Sequence, residues 1–327
     1  MSRTVKIATT ASAFVATGLA AKALNTRHRT QRKLRRGEDV EFGTVHSRAQ
    51  VAHATDGLAL NVEVDEGPDG PDGPTIVFVH GWVCTLDSWH YQRLALRDTA
   101  RMVFMDHRSH GKSGRSYDHN SSIEQLAEDL RVVLEAFVPT GDIILVGHSM
   151  GGMTILGLAD SHPELFGDRV KGVVLCASSA GELLRGSPVV RYIRPLIIRT
   201  SPILDRGRAF NSYSIVRRWG VGPNAQERHI DMTDEMILSV PTQVIVDFYR
   251  NFVTLDLHDA LEAVGRAKTV VVGGTKDMLT PFKHSRHLAE KIPDASLVAL
   301  EGAGHMVMFE EHDKVTEVIA EMYESIA

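Results

Sequence analysis

Short apolar runs recur along the chain from residue 75 onward. Residues 75–80 (TIVFVH), 101–106 (RMVFMD), 143–147 (IILVG), 170–176 (VKGVVLC), 268–273 (KTVVVG) and 296–300 (SLVAL) are largely continuous in polarity rather than alternating. That is the pattern of strands buried on both faces. Helical spacing separates several of them. Residues 122–137 place Ile123, Leu126, Leu130, Val133, Leu134 and Phe137 on one face, with Ser121 or Ser122 available as N-cap. Further helical patterns cover 153–162 and 310–326. Upstream, 50–54 and 58–64 flank Asp56-Gly57, which reads as a hairpin, and a turn cluster fills 67–74. Strand and helix in alternation predict an α/β fold, a mostly parallel sheet covered on both faces.

One segment breaks the alternation. Residues 181–255 carry no strand pattern, and their apolar groups fall at helical spacing, punctuated by Pro188, Pro195, Pro202, Pro223 and Pro241. This predicts a helical cap, or lid, inserted into a core made of 41–180 and 256–327.

The chemistry concentrates between strand and helix. Gly147-His148-Ser149-Met150-Gly151 fits G-x-S-x-G and stands directly after one strand and before a helical run. A sharp strand-to-helix turn of this kind needs small neighbours and pushes the serine hydroxyl out of the sheet. Amides at the start of the helix then favour negative charge beside it. A tight packing turn would use the same glycines. A serine needs a base, and the base an orienting acid. His305 lies in a glycine-flanked loop after 296–300, and Asp277 lies just after 268–273. Both fall beyond the carboxyl ends of strands, where open α/β sheets place their sites. Sixteen histidines are present, so an arbitrary one is a surface or packing residue; the loop context singles out His305. Two preorganised N–H groups are needed for an oxyanion. Met150, after the serine, and Trp82, in His80-Gly81-Trp82, are the candidates. His80 reads as a brace for that loop. Trp82, Met150, Met153 and Phe248 are candidates for an acyl pocket, although core packing explains apolar residues there equally well.

The ordered set HGW, then DHRSHGKS at 106–113, GHSMGG at 147–152, DMLTP at 277–281 and Gly304-His305 resembles the α/β-hydrolase superfamily. Within it, the chain looks most like the cap-bearing bacterial serine esterases and lipases. The resemblance runs from about residue 50 to the C-terminus. It implies an eight-stranded sheet, a helical lid and no cofactor. It also implies Ser149 as nucleophile, His305 as base, Asp277 as acid, and Trp82 and Met150 as oxyanion donors. Two departures are visible: Ser109 stands where glycine is usual, and Ala267-Lys268 replaces a common proline before the Asp277 strand. Relatives that open epoxides or remove halogen carry aspartate at the position of Ser149, which argues against both activities.

Charge and composition narrow the class. Of the 327 residues 24% are charged, and the net charge is −5. Residues 1–40 hold nine basic and two acidic groups, so the remainder carries −12. A folded domain of that sign is no nucleic-acid binder. The leader has an uncharged Ala- and Thr-rich stretch at 7–21, short for a membrane span. It reads as an anchor or lipid-resting helix, a cleaved signal, or a dispensable leader, giving a membrane-associated or cytoplasmic location ahead of a secreted one. Eight arginines and one acid between Arg185 and Arg218, interleaved with apolar residues, fit either an anionic membrane surface or an ordinary solvated face. Cys84 and Cys176 build no disulfide framework. The expected substrate is a small-molecule acyl ester or lipid of medium or long chain. Thioester, lactone, amide or carbon–carbon hydrolysis would use the same residues. A noncatalytic binding protein on this fold would lack one of the three, and none is missing.

Overall fold

The computed structural model describes residues 40–118, 120–183 and 212–327. The leader at 1–39, and the arginine-rich stretch except for Arg217 and Arg218, lie outside the described residues.

Among the described residues eight strands form one sheet: β1 (Ala49–His53), β2 (Ala59–Asp65), β3 (Thr75–Val79), β4 (Arg101–Met105), β5 (Ile143–His148), β6 (Val170–Cys176), β7 (Lys268–Gly274) and β8 (Ser296–Leu300). Their spatial order is β1-β2-β4-β3-β5-β6-β7-β8. β1 and β2 form the expected hairpin, with Gly57 at φ +82° in its turn. β2 also runs antiparallel to β4. Every pairing from β4 to β8 is parallel.

The continuous apolar strands are explained by the two cores. Val77, Val79 and Leu145 face one of them, with the helices Ile123–Phe137 and Met150–Ser161. Ile76, Phe78, Ile144 and Val146 face the other, with Trp89 and the helices His90–Leu96 and His312–Glu324. Neighbouring side chains point to opposite faces of a strand, and here both faces are dry. Ser122 caps its helix as expected, its Oγ accepting from Gln125 N at 3.2 Å. The expected terminal helix is split into Val307–Glu310 and His312–Glu324, because Glu311 (φ −127°, ψ 46°) leaves the helical region.

Parallel register aligns the strand ends. Val79 pairs with Gly147, Gly147 with Leu175, Cys176 with Val272, and Gly274 with Leu300. The loops after β3, β5, β6, β7 and β8 therefore emerge along one edge. Over that edge, among the described residues, stand the π-helical turn Val216–Gly220 and the helices Glu227–Ser239, Thr242–Tyr249 and Asn251–Thr254. Ser109 adopts φ 65°, a left-handed conformation that explains why glycine is usual at its position; its Oγ accepts from Ser116 N at 3.0 Å. Among the described residues no helix is long and apolar enough to cross a membrane.

Candidate active site

Ser149 joins β5 to the helix Met150–Ser161 at φ 51° and ψ −115°, a conformation that a non-glycine residue holds only when its surroundings enforce it. They do so on both sides. Ser149 N donates to Cys176 O at 2.9 Å, and Ser178 Oγ donates to Ser149 O at 2.8 Å. The turn packs so closely that a Cβ on Gly151 would stand 2.1 Å from Val79 O. The helix begins at Met150, three residues before the boundary expected from apolar spacing.

Asp277 and His305 come together from the loops after β7 and β8. His305 Nδ1 donates to Asp277 Oδ2 at 2.8 Å. Asp277 is otherwise saturated: Oδ1 accepts from Leu279 N at 2.8 Å and Thr280 N at 2.9 Å, and Thr280 Oγ1 lies 2.7 Å from Oδ2. A carboxylate only accepts, so the shared proton sits on Nδ1 and leaves the Nε2 lone pair of His305 open. Both side chains are buried. His148, the residue before Ser149, donates from Nε2 to His305 O at 3.0 Å, and the two rings lie 4.7 Å apart. The serine turn and the histidine loop are thus locked side by side.

The loop after β3 is braced by histidines. His80 Nδ1 donates to Gly81 O at 2.7 Å, and its Nε2 accepts from His107 N at 3.0 Å. Val83, at φ 56°, donates its N–H to His110 Nε2 at 3.2 Å. Asp106 accepts from Leu86 N, Lys112 N and Asn61 Nδ2, each at 2.9 Å. Both accepting imidazoles must be neutral to do this. Burial holds them so, lowering His80 to about 4 and His110 to about 3. Within this loop the amides of Val83 and Cys84 are committed to His110 and Gly81 O, and the Trp82 amide to neither. The Met150 amide opens its helix and has no carbonyl one turn back.

The four pocket candidates separate by burial. Met150, Met153 and Phe248 are fully enclosed in the core, and Trp82 is half-buried. The Trp82 ring packs 5.1 Å from Phe252 and 6.2 Å from Tyr249, so the cap helices meet the loop after β3 there.

A family model described as the alpha/beta hydrolase family matches residues 76–318. The chain belongs to the alpha/beta hydrolase family. It is 27% identical over 249 residues to the dihydrolipoyllysine-residue acetyltransferase component of the acetoin cleaving system of Pseudomonas putida. That match takes in 76% of this chain and 63% of the relative, so the chain spans less than two thirds of that protein. It is 24% identical to the uncharacterized hydrolase YugF of Bacillus subtilis (strain 168), covering 76% of this chain and 89% of the other. Two solved structures share the fold. A thermophilic esterase from Thermogutta terrifontis superimposes with TM-score 0.70 at 24% identity, over 86% of this chain and 99% of its own. The enol-lactonase from Burkholderia xenovorans LB400 does so with TM-score 0.69 at 25% identity, over 84% and 99%.

Sequence reasoning missed Thr280, His107, His110 and Glu310. Glu310 carried a signal: it is the first acidic residue after the run 303–309 (AGHMVMF), which holds no Asp, Glu, Lys or Arg.

Proposed function

We propose that this alpha/beta hydrolase cleaves carboxylic esters through an acyl-enzyme on Ser149, with medium or long acyl chains as its substrates. The observation that carries the reading is the strained Ser149 turn held beside a His305–Asp277 pair with Nε2 left open. Ser149 Oγ attacks the carbonyl carbon while His305 Nε2 takes its proton. Asp277 holds the ring and stabilises the imidazolium. The amides of Trp82 and Met150 receive the oxyanion that forms. His305 then protonates the leaving alkoxide, and water activated by the same Nε2 releases the acid.

Hydrolysis of a chain-length series of nitrophenyl esters by the full chain, beside Ser149→Ala, tests this. Turnover that vanishes in the variant and peaks at six carbons or more supports it. Lactone opening is the second reading, favoured by the fold shared with the enol-lactonase. Turnover of lactones with inert nitrophenyl esters would select it.

A further inference from the structure

Glu310 is a carboxylate in a place built for one. Its Oε2 accepts from Gly222 N at 2.7 Å and Gly304 N at 3.0 Å, and Oε1 accepts from Gly304 N at 3.1 Å. Gly304 precedes His305. Gly222 follows the turn Val216–Gly220 of the cap, more than eighty residues earlier in the chain. On the other flank of the histidine, Met306 N donates to Gly220 O at 3.2 Å. The cap segment 220–222 therefore grips the His305 loop on both sides.

The approach is backbone on backbone. A Cβ on Gly222 would stand 2.3 Å from Gly302 O, and one on Gly304 would stand 2.2 Å from Gly222 N. Only glycine at both positions allows the carboxylate to bridge the two strands of chain. Two amide donors select the ionised carboxylate, and burial opposes them, raising its pKa above the ordinary value. The charge of His305 acts on Glu310 as well, favouring its carboxylate against the burial.

We propose that Glu310 is a positioning residue that fastens the cap to the histidine loop and holds His305 in place and in charge balance for proton transfer. The proposal rests on the reading of His305 as base. Its consequence is regulatory: movement of the cap at 220–222 is transmitted directly to the base. The groups around the imidazole are Asp277 from the loop after β7, His148 from β5 and Glu310. The cations on adjoining segments are Arg217, bound to the carbonyls of Gly222 and Pro223, Arg218, against Met278, and exposed Lys276. Burial keeps His148 neutral, so Asp277 and Glu310 are the carboxylates that act on the base.

The test is the pH dependence of Ser149 phosphonylation by a fluorophosphonate, in the full chain and in Glu310→Gln and Gly222→Ala. Melting temperature is followed alongside. In Glu310→Gln the plateau rate should fall about tenfold and the acid limb should move to lower pH by about 0.5 unit or more. Gly222→Ala keeps the charge and spoils the approach, so its rate should fall with the acid limb in place. Wild type that resists labelling overturns the reading of Ser149 and His305, and this proposal with it. A labelled wild type with an unshifted acid limb in Glu310→Gln, or a rate loss that only follows melting temperature, overturns the proposal alone.

Discussion

His305 Nδ1 and Asp277 Oδ2 are 2.8 Å apart, although they stand 28 positions apart in the chain with a helix and β8 between them. Replacing Asp277 with asparagine keeps the shape and puts an amide where the acceptor was. The imidazole then turns to the wrong tautomer. The expected result is a fall in kcat on the order of 10⁴-fold with little change in KM. Steady-state kinetics on a nitrophenyl ester would show it, and a loss under tenfold would contradict the assigned role.

The serine turn depends on Gly151. Its substitution by alanine drives a methyl group against Val79 O, at an unrelaxed 2.1 Å, at the carboxyl end of β3. Strain of this kind costs about 2–4 kcal/mol. Denaturant unfolding of Gly151→Ala should show that loss together with loss of activity. A variant of wild-type stability would mean that the turn is looser than described.

Most of the sheet was legible because its strands are unambiguous. Residues 143–147 and 170–176 have no polar face, and only a strand covered on both sides tolerates that. The places of Ser149, Asp277 and His305 were legible because each stands at a strand end marked by glycine or a turn. The clasp at Glu310 was not, since it depends on Gly222 and Gly304 meeting across the cap, and no local pattern encodes that meeting. The braces at His107 and His110 were hidden for a similar reason. Their side chains serve the loop after β3, while their own segment follows β4. The helix start at Met150 was placed late because Gly151 and Gly152 weaken the apolar spacing; the turn geometry decides it.

Acid should destabilise the fold through the histidine braces. His80 and His110 are held neutral, near 4 and 3, against about 6.5 in an unfolded chain. Their folded values are depressed, so the unfolded state binds more protons below about 6.5. Stability is full above that pH and is lost as pH falls toward 4. Each fully buried ring contributes on the order of 2 kcal/mol by pH 4.5. Melting temperature measured between pH 7.5 and 4.5 should fall steadily, and a flat profile would refute the neutral braces.

Both cysteines should be inert in the native protein. Burial pushes Cys84 and Cys176 up to about 12, so neither supplies thiolate at neutral pH. Iodoacetamide at pH 8 should leave the folded chain unmodified and add two groups after denaturation. Loss of activity on alkylation of the native protein would contradict this.

The central claim is that Ser149 forms the covalent intermediate. Intact mass of the full chain after reaction with a fluorophosphonate, followed by peptide mapping, tests it most directly. One added phosphonyl group per chain, carried by the peptide containing Ser149 and absent from Ser149→Ala, is the predicted result. An unmodified chain, or a label on any other residue, would contradict it.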